Sequence, residues 1–288
     1  MSLKNSLDAG EFAVLTEIEP PKGSNVSTML ENAEHIKDRV DAFVISEMNN
    51  ALMRMSALAG AMLLSAKGME TAMQICTRDR NRLALQADLL GAGACGIPTV
   101  IVTEGDDPAM GDHHQTPAVR DIGTAELLEI IGILRKGSDM SGAELKGAPG
   151  FRTGASLKIS PEGESPEAEL AEMEKKIAAG AEFFITQPIF DLNLLTPFRE
   201  KAGARAKIIP NVLLLKSLGM ARYMERNVRH IHIPKDLIRR LQKAKDKEGE
   251  CVQVAAELTA GLKQAGYAGV LFSLGGAENR LREILAGA

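Results

Sequence analysis

The sequence predicts an α/β fold, a single (β/α)8 barrel of the TIM type spanning residues 1–288. Three observations carry that expectation. Eight short, β-branched apolar runs recur along the 288 residues, each followed by a stretch with helical spacing. The runs do not alternate polar with apolar, as expected of parallel strands covered on both faces. No low-complexity linker or change of composition divides the chain. A doubly wound open sheet is the competing architecture, but the Gly-x-Gly-x-x-Gly fingerprint is missing after the first run.

The elements follow in order. Glu11 to Ile18 reads as the first strand, and Pro20-Pro21 stops regular structure after it. Ser27 to Asp38 has helical spacing, and Ala42 to Ser46 is a second, fully buried strand. Leu52 to Lys67 is an apolar helix ending at Gly68, a residue suited to a left-handed cap. Thr71 to Cys76 is the third strand, and Asn81 to Leu90 a helix closed by Gly91 and Gly93. Pro98 to Thr103 is the fourth strand, with a Gly-, Pro- and His-bearing loop to Ile122 and a helix over Thr124 to Lys136. Gly137 to Phe151 is polar and Gly-rich. Gly154 to Ile159 is the fifth strand and Pro166 to Ala179 a charged amphipathic helix. Glu182 to Ile185 is the sixth strand, with a helix from Leu192 to Lys201. Ala206 to Leu215, interrupted by Pro210, is the seventh, followed by a helix over Leu218 to Arg226. An extra charged helix is expected near residues 234–249, then another over Val252 to Ala265. Gly269 to Ser273 is the eighth strand and Glu278 to Leu285 the last helix.

Composition narrows the function. The chain is 45% hydrophobic and 25% charged, ordinary for a globular protein. A net charge of −4 gives no bulk footprint for nucleic acid, and the charges of Lys235 to Glu250 alternate in sign, as on a solvated helix. No apolar run reaches the roughly 18 residues that span a bilayer. Met1-Ser2-Leu3-Lys4-Asn5 lacks a signal-peptide core, so a cytoplasmic location is expected. Cys76, Cys95 and Cys251 have no paired spacing, so neither a metal nor a cluster site is expected. Aromatics are scarce, which leaves the 13 Met residues as core filling.

In such a barrel the residues just after each strand share one mouth. Here that mouth gathers Glu17 and Glu19, Ser46 to Asn50, Cys76 to Asp79, Glu104-Gly105-Asp106, Ser156 to Ser160, Thr186-Gln187, Leu213 to Lys216, and Ser273 to Gly276. A carboxyl among apolar walls has a raised pKa and can donate a proton at neutral pH, a role open to Glu17, which could instead simply pair with a basic residue at the barrel rim. Glu19 is expected to pair with a basic residue at the rim. Asp106 can serve a bound ring or simply a turn. Gln187 offers a neutral donor and acceptor for a heterocyclic amide edge. Lys175 and Lys176 could bind a diphosphate; read alone, they belong to a charged outer face with an i,i+3 Glu172–Lys175 pair.

Glu17-Ile18-Glu19-Pro20-Pro21, then Glu104-Gly105-Asp106, then Ile185-Thr186-Gln187-Pro188-Ile189-Phe190-Asp191 resemble the methylenetetrahydrofolate reductases. That family's pattern is Glu-x-x-Pro-Pro on the first strand, Gly-Asp after the fourth and Thr-Gln-x-x-(Phe/Tyr)-Asp after the sixth. The resemblance covers nearly the whole chain and implies a flavin-containing (β/α)8 barrel. It implies that Glu17 is the general acid, that Asp106 lies by flavin and folate, and that Gln187 contacts the pterin. Ser46, Gln74, Glu104, Gly105, Asp106 and Ser156 fall at the implied flavin-ring positions. Glu169, Glu172, Lys175 and Lys176 fall on the helix that grips the rest of FAD. The implied cofactor is FAD rather than FMN.

Several positions depart from the family pattern. Glu104 stands where the bacterial type has Arg, Gln74 and Ser160 where it has His, Ser156 where it has Tyr, Glu172 where it has Asn, and Gly276 where it has Arg. With Pro20-Pro21-Lys22-Gly23, these are similar to the short reductases of anaerobic, acetogenic-type bacteria. Those work with a zinc- and iron–sulfur-bearing partner subunit, so such a partner is implied. The electron donor is left open between NADH, NADPH and a reduced protein carrier, and a homo-oligomer is left open as well.

The implied reaction reduces 5,10-methylenetetrahydrofolate to 5-methyltetrahydrofolate by hydride transfer from reduced flavin N5. Glu17 would protonate the departing nitrogen, and Asp106 would stabilise the cation that forms. The alternatives are a pterin-binding barrel methyltransferase, which needs no flavin, and a non-catalytic subunit of an electron-transfer complex.

Overall fold

Eight parallel strands close on themselves in the order β1 to β8, each neighbour in sequence being its neighbour in space. The computed structural model describes residues 2–159, 166–228 and 231–288. In chain order the elements are α1 (Leu3–Ala9), β1 (Ala13–Ile18), α2 (Ser27–Ile36), β2 (Ala42–Ile45), α3 (Ala57–Ser65), β3 (Thr71–Cys76), α4 (Arg82–Ala94), β4 (Thr99–Thr103) and α5 (Thr124–Arg135). Then come β5 (Arg152–Leu157), α6 (Pro166–Ala178), β6 (Phe183–Pro188), α7 (Thr196–Ala202), β7 (Lys207–Leu213), α8 (Leu218–Asn227), α9 (Lys235–Lys243), α10 (Lys247–Gln264), β8 (Gly269–Ser273) and α11 (Leu281–Ala286). The (β/α)8 expectation is met.

Two apolar layers build the molecule. The larger lies between the strands and the surrounding helices, with Phe43, Met73, Phe151, Phe184 and Phe272 among its buried members. The smaller fills the barrel itself with Ala13, Leu15, Val44, Ala72, Ile101, Phe183, Ile185, Ile209 and Leu271. Because paired residues of parallel strands face the same side, the registers continue this inward set upward. Above the apolar floor it reaches Glu17, Ser46, Gln74, Ser156, Gln187, Asn211 and Ser273. An apolar plug below and a ring of polar side chains above define a cup at the C-terminal end of the strands.

The floor is tightly filled. A Cβ on Gly154 would run into the ring of Phe183. Gly154→Ala is therefore expected to cost about 1–3 kcal/mol by overpacking, read as a lowered thermal midpoint. An unchanged midpoint would mean that the floor has slack which this packing denies it.

Four differences from the sequence reading have local causes. α1 was not expected; Ser2 caps it by accepting from Asn5 N, and Leu3 and Leu7 seal the bottom of the barrel. α3 starts at Ala57 rather than Leu52, because Ser56 caps it and residues 48–51 form an irregular turn. α4 runs through Gly91 and Gly93 to Ala94; a Cβ on Gly93 would lie 2.7 Å from Pro149 Cβ, so this glycine serves packing. The extra charged helix ends at Lys243, where Ala244 turns extended; Asp246 then caps α10 by accepting from Gly249 N. Its Arg240 is spent on Glu250 and Glu257, in line with a solvated face whose charges pair.

Candidate active site

Glu17 sits near the top of β1, facing into the cup. Asn49 Nδ2 donates to its Oε1 at 2.6 Å, and Ser273 Oγ donates to its Oε2 at 2.5 Å. Part of its surface is reachable from the cup, yet protein atoms crowd it. Burial raises its pKa above the ordinary carboxylate value, the donors Ser273 and Asn49 pull the other way, and Glu19 adds to the rise. The net result is an acid that holds its proton to higher pH than a free glutamate. Glu19, by contrast, points outward and pairs with Arg54 at 3.0 Å, as its rim position suggested.

The turn after β2 is the organiser of this site. Met48, Asn50 and Ala51 all have positive φ, of 50°, 55° and 53°. Such a conformation is disfavoured for side-chain-bearing residues, and of these three only Asn50 is of a type that adopts it readily. The turn is held by what it touches. Asn50 N donates to Asp106 Oδ2 at 2.7 Å, Met53 N donates to Asp112 Oδ1 at 3.0 Å, and Gly111 packs against Ala51 so closely that no Cβ would fit. Asp112 also takes Lys22 from the loop after β1. Adjacent residues Asn49 and Asn50 thus hold the two carboxylates that the sequence singled out, one through a side chain and one through the backbone.

Asp106 is exposed at the rim, and its Oδ1 makes no hydrogen bond among the described residues. Its position depends on Gly105, whose φ is +82° and whose missing Cβ would lie 2.5 Å from Cys76 Sγ. Arg78 fixes the same loop from below. It grips Asp79 through two bonds of 2.7 and 2.8 Å and donates to Asp106 O at 3.0 Å. The neighbouring turn-cap role belongs to Asp107, which accepts from Ala109 N. The Cys76 thiol is pushed up to about 12 by burial, so it is no nucleophile.

The other predicted residues fall into two groups. Ser46 is fully buried with its Oγ unpartnered, and Gln74 Oε1 accepts from Glu47 N. Ser156 and Gln187 are part-buried at the top of β5 and β6. Gln187 lies on β6 itself rather than after it, and its Nε2 donates to Ile159 O. These surround the cup. On α6 the picture differs. Lys176 and Glu169 are both buried, 3.5 Å apart, and Lys176 Nζ donates to Ser156 O. Glu172 and Lys175 form an exposed pair at 2.5 Å, and Glu104 pairs likewise with Lys158. Burial pulls Glu104 upward, but Lys158, Arg120 and Lys176 outweigh it and lower its pKa. Ser160 lies outside the described residues.

Asn211 on β7 was not singled out from the sequence, where Pro210 only marked an interrupted strand. Its Nδ2 donates to Ser273 Oγ at 3.1 Å, and its N–H donates to Thr186 Oγ1 at 3.1 Å. The β6–β7 register shifts between Ile185 and Pro188, which is where Asn211 enters. Among the described residues, no group of three or more His, Cys, Asp or Glu could hold a metal ion. No helix among them is long and apolar enough to cross a membrane.

Three comparisons bear on this arrangement. A family model described as methylenetetrahydrofolate reductase matches residues 2–270. The 5,10-methylenetetrahydrofolate reductase of Salmonella typhimurium is 25% identical over 158 residues, which is 54% of this chain and 47% of that protein. The match therefore spans about half the length of that relative. Among solved structures, 2,3-dimethylmalate lyase, a member of the PEP mutase/isocitrate lyase superfamily, superposes with a TM-score of 0.57 at 13% identity, covering 99% of this chain and 82% of that one. Oxaloacetate acetylhydrolase in complex with oxalate gives 0.57 at 10% identity, covering 99% and 84%. At such identities these two show a shared barrel and nothing about chemistry.

Proposed function

The chain belongs to the methylenetetrahydrofolate reductase family, and from that premise we propose that it reduces 5,10-methylenetetrahydrofolate to 5-methyltetrahydrofolate with the help of a bound flavin. The observation that carries the reading is Glu17: a carboxyl aimed into the cup, clasped on both oxygens and kept proton-rich by burial.

The residues at the cup suit a flat heterocycle. Ser46 has a buried hydroxyl oxygen with no partner among the described residues. Short side chains at Ser46, Ser156 and Ser273 leave width, and Gly105 keeps the β4 loop bare of a Cβ. Ser46, Gln74, Ser156 and the Gly105-Asp106 backbone would hold the ring. Glu104 follows β4, and Glu169, Glu172, Lys175 and Lys176 lie on α6, the helix that the family resemblance assigns to the rest of the cofactor; that resemblance is the reason for proposing FAD rather than FMN. Lys158 and Lys175 stand in exposed carboxylate pairs from which a phosphate can draw them, whereas Lys176 is committed to the barrel wall. When bound, a flavin supplies the two-electron chemistry that turns the methylene carbon into a methyl group.

The chain supplies the proton and the orientation. Methylenetetrahydrofolate holds its one-carbon unit between two nitrogens, and opening that ring requires a proton on the departing nitrogen. Glu17 gives it up, breaking its own O–H bond as the nitrogen gains a hydrogen. The iminium cation so formed is stabilised by the Asp106 carboxylate, whose Oδ1 is uncommitted among the described residues. Gln187 aligns the pterin edge with its amide.

The purified protein, with whatever accompanies it, is expected to be yellow or to take up flavin. It should form 5-methyltetrahydrofolate with at least one of NADH, NADPH or a reduced viologen. A protein that stays colourless in the presence of FAD and FMN, and inert with all three donors, would remove this reading.

A further inference from the structure

The hydrogen bonds around Glu17 run in one direction. Asn211 Nδ2 donates to Ser273 Oγ, Ser273 Oγ donates to Glu17 Oε2, and Asn49 Nδ2 donates to Oε1. That polarity suits an ionised carboxylate, which accepts only. A protonated Glu17 must itself donate, and Ser273 can accept that hydrogen only if its own hydroxyl hydrogen finds another acceptor. One is at hand: Asn211 Oδ1 is buried and has no partner among the described residues.

We propose that Asn211 and Ser273 form a reversible hydrogen-bond chain whose direction follows the proton on Glu17. With Glu17 charged, the chain reads Asn211 to Ser273 to Glu17. With Glu17 neutral, a half-turn of the Asn211 amide brings Oδ1 to Ser273, and the chain reads Glu17 to Ser273 to Asn211. The amide oxygen and nitrogen are nearly equal in size, so the half-turn needs no repacking. The atom opposite Ser273 is unpartnered in either direction, so that vacancy opposes neither. Asn49 keeps donating to Oε1 throughout, which leaves Oε2 as the oxygen that carries the proton. The chain reorients only hydrogens that it already holds; the proton itself passes from Oε2 to the substrate nitrogen and is restored from solvent.

Asn49 and Ser273 reach Glu17 and Asn211 reaches Ser273; the three come from different elements and are all neutral. The charges those elements carry are engaged elsewhere: Glu47 after β2 with Arg80, and Lys216 after β7 with Gly275 O. On β1 itself, Glu19 is paired with Arg54, and across the rim Asp106 is held by Asn50. Asn211 and Ser273 are thus positioning residues, acting through Glu17. The inference rests on the reading of Glu17 as the proton donor.

The test is a pH titration of the whole protein, labelled with 13C at glutamate carboxyls and 15N at asparagine amides. It requires neither flavin nor folate. The Glu17 signal is identified by its loss in Glu17→Gln, and that of Asn211 by its loss in Asn211→Ala. The side-chain amide of Asn211 is expected to titrate with the same midpoint as Glu17. Ser273→Ala removes a donor to the charged form, so the Glu17 midpoint should rise by about one pH unit, tenfold in the proton equilibrium, while Asn211 falls silent. Ser273→Thr should restore both. Asn211→Ala removes support from both protonation states and should move the midpoint less than Ser273→Ala does. An Asn211 amide that stays flat through the wild-type titration, or an unmoved midpoint in Ser273→Ala, would overturn the chain. That failure would leave the proton-donor role standing, because the role is judged separately by folate turnover in Glu17→Gln.

Discussion

Replacing Glu17 with Gln is expected to lower folate turnover by about 100- to 10,000-fold, the usual worth of a positioned general acid. Gln keeps the size of the side chain and can still accept from Asn49 or Ser273, so folate and flavin binding should survive. Only the transferable proton is lost. The same substitution is expected to leave the protein at least as stable at neutral pH. The folded pKa of Glu17 lies above its ordinary value of 4.5, so the native state binds more protons than the unfolded chain between the two values. Stability therefore declines as pH rises through that window, and Gln abolishes the decline. A residue kept for folding would show the opposite pairing, with a lowered thermal midpoint. Wild-type turnover in Glu17→Gln would end its candidacy as the donor.

Asp106→Asn is expected to cost about 100- to 1,000-fold in turnover, in the range seen when one electrostatic contact to a developing charge is removed. Asn keeps an oxygen for the Asn50 N–H, so the turn after β2 need not move, and the protein should melt within about 0.5 kcal/mol of wild type, as surface substitutions do. What disappears is the negative charge facing the cation. The loss should fall on the folate step and spare reduction of the flavin by its donor. Equal losses in both steps would mean that Asp106 shapes the cup and does not stabilise the cation.

Much of this was legible in the sequence because it is local. Buried parallel strands declare themselves as continuous apolar runs, and all eight were placed, two with both ends unchanged and the rest with ends shifted by no more than three residues. Glu17, Asp106 and Gln187 could be found because each belongs to a short motif at a strand end. What escaped notice depends on contacts between distant segments. Asn211 is an unremarkable residue after a proline, until the β7–β8 pairing brings it beside Ser273, 62 positions away in the chain. Asn49 gains its meaning only when the left-handed turn at Met48 to Ala51 swings its amide onto Glu17. The sequence also did not reveal that Lys176 is buried against Glu169 while its neighbour Lys175 faces solvent, since both occupy one charged stretch. The one discernible signal for Asn211 was a polar residue at an inward position of an otherwise apolar strand, which period-two counting would have placed on the same face as Glu17 and Ser273.

The most direct trial of the proposed chemistry is a single turnover. The flavin-loaded protein is reduced anaerobically, freed of excess reductant and mixed with methylenetetrahydrofolate over a range of pH. The account predicts that the oxidised-flavin band returns in step with one equivalent of 5-methyltetrahydrofolate, at a rate that falls as pH rises past the Glu17 midpoint, and that Glu17→Gln stays reduced. A band that returns at the same rate in Glu17→Gln, or a wild-type protein that stays reduced with folate present, would contradict it.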